Sequence, residues 1–96
     1  MAKWLFDSKG KPIAFVADDK AFSTKGHFIG RLEENQEIWH GRYRGEIVEG
    51  DRLLYDRRKR RGARSRSAVP RPPAKPARPA NKRPIRVPTG YRDVEL

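Results

Sequence analysis

Phe6-Asp7-Ser8-Lys9-Gly10-Lys11-Pro12-Ile13-Ala14-Phe15-Val16 and Phe22-Ser23-Thr24-Lys25-Gly26-His27-Phe28-Ile29-Gly30-Arg31-Leu32 are one pattern written twice, sixteen positions apart. Both begin with Phe, pass through a Lys-Gly turn, and continue with Ile, a small residue and an aliphatic end. A looser third copy starts at Ile38 and runs through Gly41, Tyr43, Gly45 and Ile47. A fourth starts at Leu53-Leu54-Tyr55-Asp56, which echoes Trp4-Leu5-Phe6-Asp7. The anchors Phe6, Phe22, Ile38 and Tyr55 are spaced 16, 16 and 17 residues apart. Self-similarity at a fixed period marks structural units that bury their apolar faces only against one another.

A unit of this length is too short for a helical hairpin and suits a β-hairpin. Apolar residues alternate over short runs, and glycine separates the runs. Gly10, Gly26 and Gly41 supply turns, where a positive φ costs glycine nothing. Asp7 and Ser23, just ahead of two of these turns, are placed to accept hydrogen bonds from turn N–H groups. The connecting stretches Ala17–Lys20, Glu33–Glu37 and Glu49–Asp51 are acidic or polar and read as exposed loops. Ala14, Gly30 and Gly45 hold the same place in their units. Two accounts of these small residues compete: crowding near a symmetry axis, or the bulges and bends that strand glycines mark. Phe6, Phe22, Ile38 and Tyr55 read as a core ring, and Trp39 and Tyr43 as the aromatics left exposed.

Trp4-Leu5-Phe6-Asp7 with Gly10 and Pro12-Ile13-Ala14-Phe15 resembles the four-fold β-flower family. So do Gly26-His27-Phe28-Ile29-Gly30, Gly45-Glu46-Ile47-Val48 and Gly50-Asp51-Arg52-Leu53-Leu54. The resemblance covers about residues 3–56. It implies a shallow pseudo-four-fold barrel of four β-hairpin petals, all-β, and implies no activity and no catalytic residues.

The rest of the chain is a different polymer. Through Asp56 there are nine Lys/Arg against ten Asp/Glu; from Arg57 on there are fourteen against two, giving a net charge of +11 at pH 7. Seven of the eight prolines lie from Pro70 onward, and eight of the nine aromatics lie before residue 57. Too little apolar surface remains to offset chain entropy. The expected division is therefore a four-repeat β-domain at 1–56, a basic, Pro/Arg-rich, mostly disordered segment at 57–83, and an extended C-terminal segment at 84–96. The fourth petal lacks its return strand, because Arg57-Arg58-Lys59-Arg60-Arg61 follows where apolar residues belong. Apolar character returns at Ile85, Val87, Tyr91, Val94 and Leu96, so residues 84–96 are expected to fold back and complete the petal. Loop-closure entropy grows only logarithmically with length, so the long excursion adds a modest cost.

Residues 57–66 hold seven Lys/Arg. Arg57, Arg58, Lys59, Arg60, Arg61, Arg64 and Arg66 form the candidate polyanion-binding set, directed at nucleic acid or an anionic membrane surface. Arginine predominates, which favours bidentate phosphate contact. Pro73, Pro76 and Arg78 fit a P-x-x-P-x-R arrangement, more simply read as part of a stiff cationic spacer. The alternative partner is a protein, or a second copy, on an open apolar face of the β-domain.

No catalytic constellation is expected. His27 and His40 lack further ligands at metal-binding spacing. Ser23 and Thr24 have no activating partner, and Asp18-Asp19 and Glu33-Glu34 read as solvated neighbours. No cofactor and no small-molecule substrate are implied. Without cysteine, signal-like segment or long apolar run, the expectation is a soluble cytoplasmic binding or structural protein, not an enzyme.

Overall fold

The computed structural model describes residues 3–59, 69–71, 73–74 and 76–94. Eight strands follow in chain order: β1 (Lys3–Phe6), β2 (Pro12–Ala17), β3 (Lys20–Ser23), β4 (Phe28–Leu32), β5 (Glu37–Trp39), β6 (Tyr43–Val48), β7 (Arg52–Asp56) and β8 (Tyr91–Asp93). Each pairs antiparallel with the next, and β1 also pairs parallel with β7 at Phe6–Arg52. The Phe6 N–H donates to the Asp51 carbonyl at 2.8 Å. The result is an all-β, closed, barrel-like sheet of seven strands with one strand added. Among the described residues no helix is long and apolar enough to cross a membrane.

Local chemistry sets the turns. The Asp7 carboxylate accepts the Lys9 and Lys11 N–H groups at 3.0 and 2.9 Å, and Ser23 Oγ accepts those of Lys25 and His27, both at 3.2 Å. Asp56 repeats the arrangement: its Oδ1 accepts the Arg58 N–H at 3.0 Å, and its carbonyl accepts the Lys59 N–H at 3.1 Å, as the Asp7 carbonyl accepts that of Gly10. The chain then leaves, and returns where the Arg57 N–H donates to the Gly90 carbonyl at 2.8 Å.

The small residues have a shared cause. Leu5 pairs with Ala14 but Phe6 with Pro12; Ala21 pairs with Gly30 but Phe22 with Phe28; Ile38 pairs with Gly45 but Trp39 with Tyr43. One extra residue (Ile13, Ile29, Arg44) is thus inserted just before each small position. These are β-bulges, which bend a strand and increase its twist. The bend brings neighbouring backbone close: a Cβ at Gly30 would lie 2.6 Å from the Trp39 carbonyl oxygen and 2.9 Å from Ile38 Cγ2. Gly30→Ala is therefore expected to cost about 2 kcal/mol through overpacking. Urea denaturation checks this, with Gly50→Ala as comparison, since nothing lies within 4 Å of a Cβ there and only backbone strain is added.

Leu5, Ala14, Val16, Ala21, Ile29, Ile38, Ile47 and Leu53 form a buried cluster, with Ile13, Leu32 and Val94 packed against it. Rings make a second layer of contacts: Trp4, Phe15, Phe22, Phe28 and His40 follow one another at centroid separations of 5.0–5.8 Å. Of the expected core ring, Phe6, Phe22 and Ile38 are buried, while Tyr55 is half-buried. Trp39 and Tyr43 depart from expectation: both are buried, at 6% and 4% exposure. Burial is tolerated because each polar tip finds a buried acceptor, Trp39 Nε1 on Glu37 at 3.0 Å and the Tyr43 hydroxyl on Glu46 at 2.7 Å. Glu37, as the acceptor for Trp39, belongs to β5 and is buried, not part of an exposed loop; Ala17 closes β2 and Lys20 opens β3, where the two pair, so the loop between them is only Asp18-Asp19.

Candidate polyanion interface

The basic run begins inside the domain. Lys59 Nζ donates to Glu37 Oε2 at 2.6 Å and to Glu46 Oε1 at 2.7 Å. Glu46 also accepts the Tyr43 and Tyr91 hydroxyls, at 2.7 and 3.1 Å, and the Tyr43 oxygen accepts the Asp56 N–H at 3.1 Å. One ammonium thus sits between two carboxylates. Burial pushes the Glu37 carboxyl up, but hydrogen bonds from Lys59 and Trp39 outweigh it and hold the group below its ordinary value. Burial works against the Lys59 ammonium, yet the two glutamates push it up to about 12. The Tyr43 and Tyr91 phenols are raised by burial and by the adjacent Glu46.

Of the seven residues expected to meet a polyanion, Arg57 is exposed at the surface. Arg58 is held by Asp56, with Nε on Oδ1 at 3.0 Å and Nη2 on Oδ2 at 3.2 Å, and its guanidinium lies 5.6 Å over Tyr91. That contact lowers the Asp56 carboxyl and raises the Arg58 guanidinium. Lys59 turns inward to the glutamates. Arg60, Arg61, Arg64 and Arg66 lie outside the described residues.

The chain comes back over the β1–β2 turn. Arg78 Nη2 donates to the Pro12 carbonyl at 3.4 Å, the Lys82 N–H to the Gly10 carbonyl at 2.8 Å, and the Ile85 N–H to the Ser8 carbonyl at 2.7 Å. Arg52, buried, bridges the two: Nη1 donates to the Asp7 carbonyl at 3.0 Å and Nη2 to the Arg83 carbonyl at 2.7 Å. Lys82 pairs with Asp51 and lies 4.6 Å over the Phe6 ring. The Asp93 carboxylate accepts the Ser8 N–H at 2.8 Å and its hydroxyl at 2.7 Å. Strand β8 then pairs with β7, Leu54 opposite Asp93, Tyr55 opposite Arg92 and Asp56 opposite Tyr91. Beyond Arg52, then, β7 has β8 on the edge where Arg52 itself meets β1. The segment between Lys59 and Arg78 is anchored to the domain at both ends.

Two clefts flank this arrangement. One, of about 410 Å³, has Asp7, Lys11, Ile13, Ser23, His27 and Arg78 among its lining residues. The other, of about 170 Å³, is lined by Arg42, Tyr43, Arg44, Tyr55 and Arg92. The sequence reading had placed Tyr55 in the core ring and Tyr43 at the surface, and neither in a cleft. The available signal was the interleaving of Arg and Tyr at 42–44 and 91–92, but its significance depends on a strand pairing between residues far apart in the chain. Among the described residues no group of three or more His, Cys, Asp or Glu is arranged to hold a metal ion. His40 packs edge-on to Phe28 at 5.0 Å, and Ser23 Oγ serves the turn described above.

The profile of the 4-fold beta flower protein family matches residues 3–95. The chain belongs to this family. The match does not stop at Asp56, where the resemblance of the repeats ended, but takes in the basic segment and β8 of this β-flower protein as well. No curated protein and no solved structure matches it.

Proposed function

We propose that this β-flower protein is a non-enzymatic binding module that holds a cationic segment, as a loop, against nucleic acid. The reading takes β1–β2, β3–β4, β5–β6 and β7–β8 as four petals. Residues 1–56 supply seven strands, 57–83 carry the charge, and 84–96 bring back the last strand. Its setting is the cytoplasm. The observation that carries it is the charge imbalance of fourteen Lys/Arg against two acids after Asp56, in a segment whose two ends are tied to a near-neutral domain. Tying both ends confines the cations near one face, which reduces the conformational entropy lost when they meet a chain of phosphates. Nucleic acid is preferred over a lipid surface because the cluster is mostly arginine, whose fork matches phosphate oxygens two at a time. Self-assembly on an apolar face has less support, since Val69 is the exposed large hydrophobic residue among those described.

The test is the affinity of the full chain for a single-stranded oligonucleotide across a series of salt concentrations. Each phosphate neutralised steepens the slope of log affinity against log salt by about 0.7. A slope of about −3 or steeper is expected, falling toward −1 when Arg57, Arg60, Arg61, Arg64 and Arg66 are all changed to Ser. Absence of binding at low salt ends the proposal. Binding to phosphatidylserine vesicles without binding to the oligonucleotide assigns the arm to a membrane instead.

A further inference from the structure

We infer that the cleft between the β1–β2 and β3–β4 turns takes one ribose-phosphate unit of an RNA strand, its phosphate meeting Lys11, Lys25 and Arg78 and its 2′-hydroxyl donating to Asp7. The inference rests on the nucleic-acid reading above and goes beyond it, because it makes Asp7 the residue by which the domain prefers RNA to DNA.

Size and place come first. The cleft measures about 410 Å³, within the range of ligand sites and well above what a phosphate group alone fills. Three parts of the chain line it: the turn after β1, the turn after β3, and the returning segment. Its apolar carbon comes from Pro12, Ile13 and Val94. Among the described residues its one aromatic ring is the exposed His27 imidazole, and no Phe, Tyr or Trp lines it. Bases stack on such rings, whereas phosphate and sugar are held by cations and polar groups. The unit that suits the cleft is therefore backbone, with base identity unread.

Charge is the second argument. Lys11, Lys25 and Arg78 line the cleft, and none of the three is paired with a carboxylate among the described residues. The one hydrogen bond of the Arg78 side chain among those residues runs to the Pro12 carbonyl at 3.4 Å, longer than an ordinary N–H···O bond and made to a neutral acceptor. A guanidinium held so loosely can turn to a phosphate oxygen, which makes the stronger, charge-assisted bond. Ser23 Oγ already accepts the Lys25 and His27 N–H groups, so its own proton is left to donate to a ligand oxygen.

The two carboxylates in the lining decide between sugars. Asp93 is fully engaged: Oδ1 accepts the Ser8 N–H and Oδ2 the Ser8 hydroxyl. Asp7 is half engaged: Oδ1 accepts the Lys9 and Lys11 N–H groups, and Oδ2 accepts nothing among the described residues. An ionised carboxylate only accepts. In a cleft with three cations, an open carboxylate oxygen suits a ligand that carries a hydroxyl donor beside its phosphate and disfavours one with the phosphate alone. The 2′-hydroxyl of RNA is such a donor, and DNA lacks it. Arg78 stands on the returning limb of the basic segment, so a strand lying along those cations reaches the cleft.

The experiment uses the full chain and three strands of one length: oligouridylate, its 2′-deoxy form, and its 2′-O-methyl form, which keeps the sugar geometry but not the donor. Oligouridylate is expected to bind about tenfold tighter than either, the scale of one hydrogen bond to a charged group. Asp7→Asn keeps the acceptor that the turn uses and puts an NH2 in place of Oδ2; it is expected to bring oligouridylate and the deoxy strand to near-equal affinity. Asp18→Asn removes the same charge at the other end of β2 and is expected to strengthen every strand alike, leaving their ratio unchanged. Arg78→Ser is expected to weaken all three alike and to flatten the salt slope by about 0.7. Equal binding of oligouridylate and either of the other strands by the unaltered chain, or an unchanged ratio in Asp7→Asn, overturns the subsite and leaves the loop's role standing. Failure to bind any of the three overturns both. So does binding to phosphatidylinositol vesicles alone, since the inositol headgroup also pairs a phosphate with hydroxyls.

Discussion

A chain ending at Asp56 melts more than about 15 °C below the full-length protein, or does not fold. The expectation follows from what the missing residues do. They supply β8 along Leu54–Asp56, and without it β7 meets β1 only at the Phe6–Arg52 pair. They supply the Asp93 carboxylate that accepts both the N–H and the hydroxyl of Ser8, a buried residue. They supply Val94, which packs on the main cluster, and the carbonyl of Arg83 that satisfies Arg52. Hydrogen bonds to a charged group contribute about 1.5–3 kcal/mol each, and a domain of this size moves by about 4–8 °C per kcal/mol. Circular dichroism melts of the two chains decide the matter. An unchanged melting temperature means that residues 57–96 contribute nothing to the fold.

Lys59→Met is expected to destabilise the protein by about 3 kcal/mol, measured by urea denaturation at neutral pH. Nothing in a run of five basic residues marks the third as structural. In the fold, however, Glu37 and Glu46 are 4% and 9% exposed and face the same ammonium. Removing the cation leaves two buried carboxylates side by side, which costs far more than the loss of one surface pair. A companion variant, Lys59→Met with Glu37→Gln and Glu46→Gln, recovers much of the loss, because no uncompensated charge remains. The pH dependence has a definite sign. In the unaltered protein Glu37 and Asp56 lie below their ordinary values, so their contribution is present above the unfolded carboxylate range and fades as pH falls through the folded values. In Lys59→Met the Glu37 carboxyl loses the Lys59 hydrogen bond that held it down while burial still pushes it up, so acid relieves the strain. The gap between the two proteins is therefore widest at neutral pH and narrows below about pH 5.

These two cases mark where the sequence was legible. The hairpins were readable because they are local: Asp7 and Ser23 act on N–H groups two and four residues away, and the turn glycines carry positive φ. The small residues were visible at Ala14, Gly30 and Gly45, but bulge and axis crowding leave the same mark in a sequence. Only the register separates them. Trp39 and Tyr43 misled because an aromatic with a polar tip reads as a surface residue until its acceptor is known, and Glu37 and Glu46 are polar letters in strands whose other face is apolar. A carboxylate at an interior strand position was the available warning. The contact of the Arg92 guanidinium with the Tyr55 ring, 4.4 Å to the centroid, was out of reach, since it exists only once a long excursion has closed with one particular register. Of the basic cluster itself, Arg58 and Lys59 proved to have partners within the domain, which could not be read from charge density alone.

Amide hydrogen exchange at Tyr91, Arg92 and Asp93 in the intact chain tests the return of the polypeptide most directly. Slow exchange, in step with Leu53, Leu54 and Tyr55, is the predicted result. Exchange at the rate of an unstructured peptide would mean that the last strand does not stay on β7, and that the arginines trail from the domain by one end.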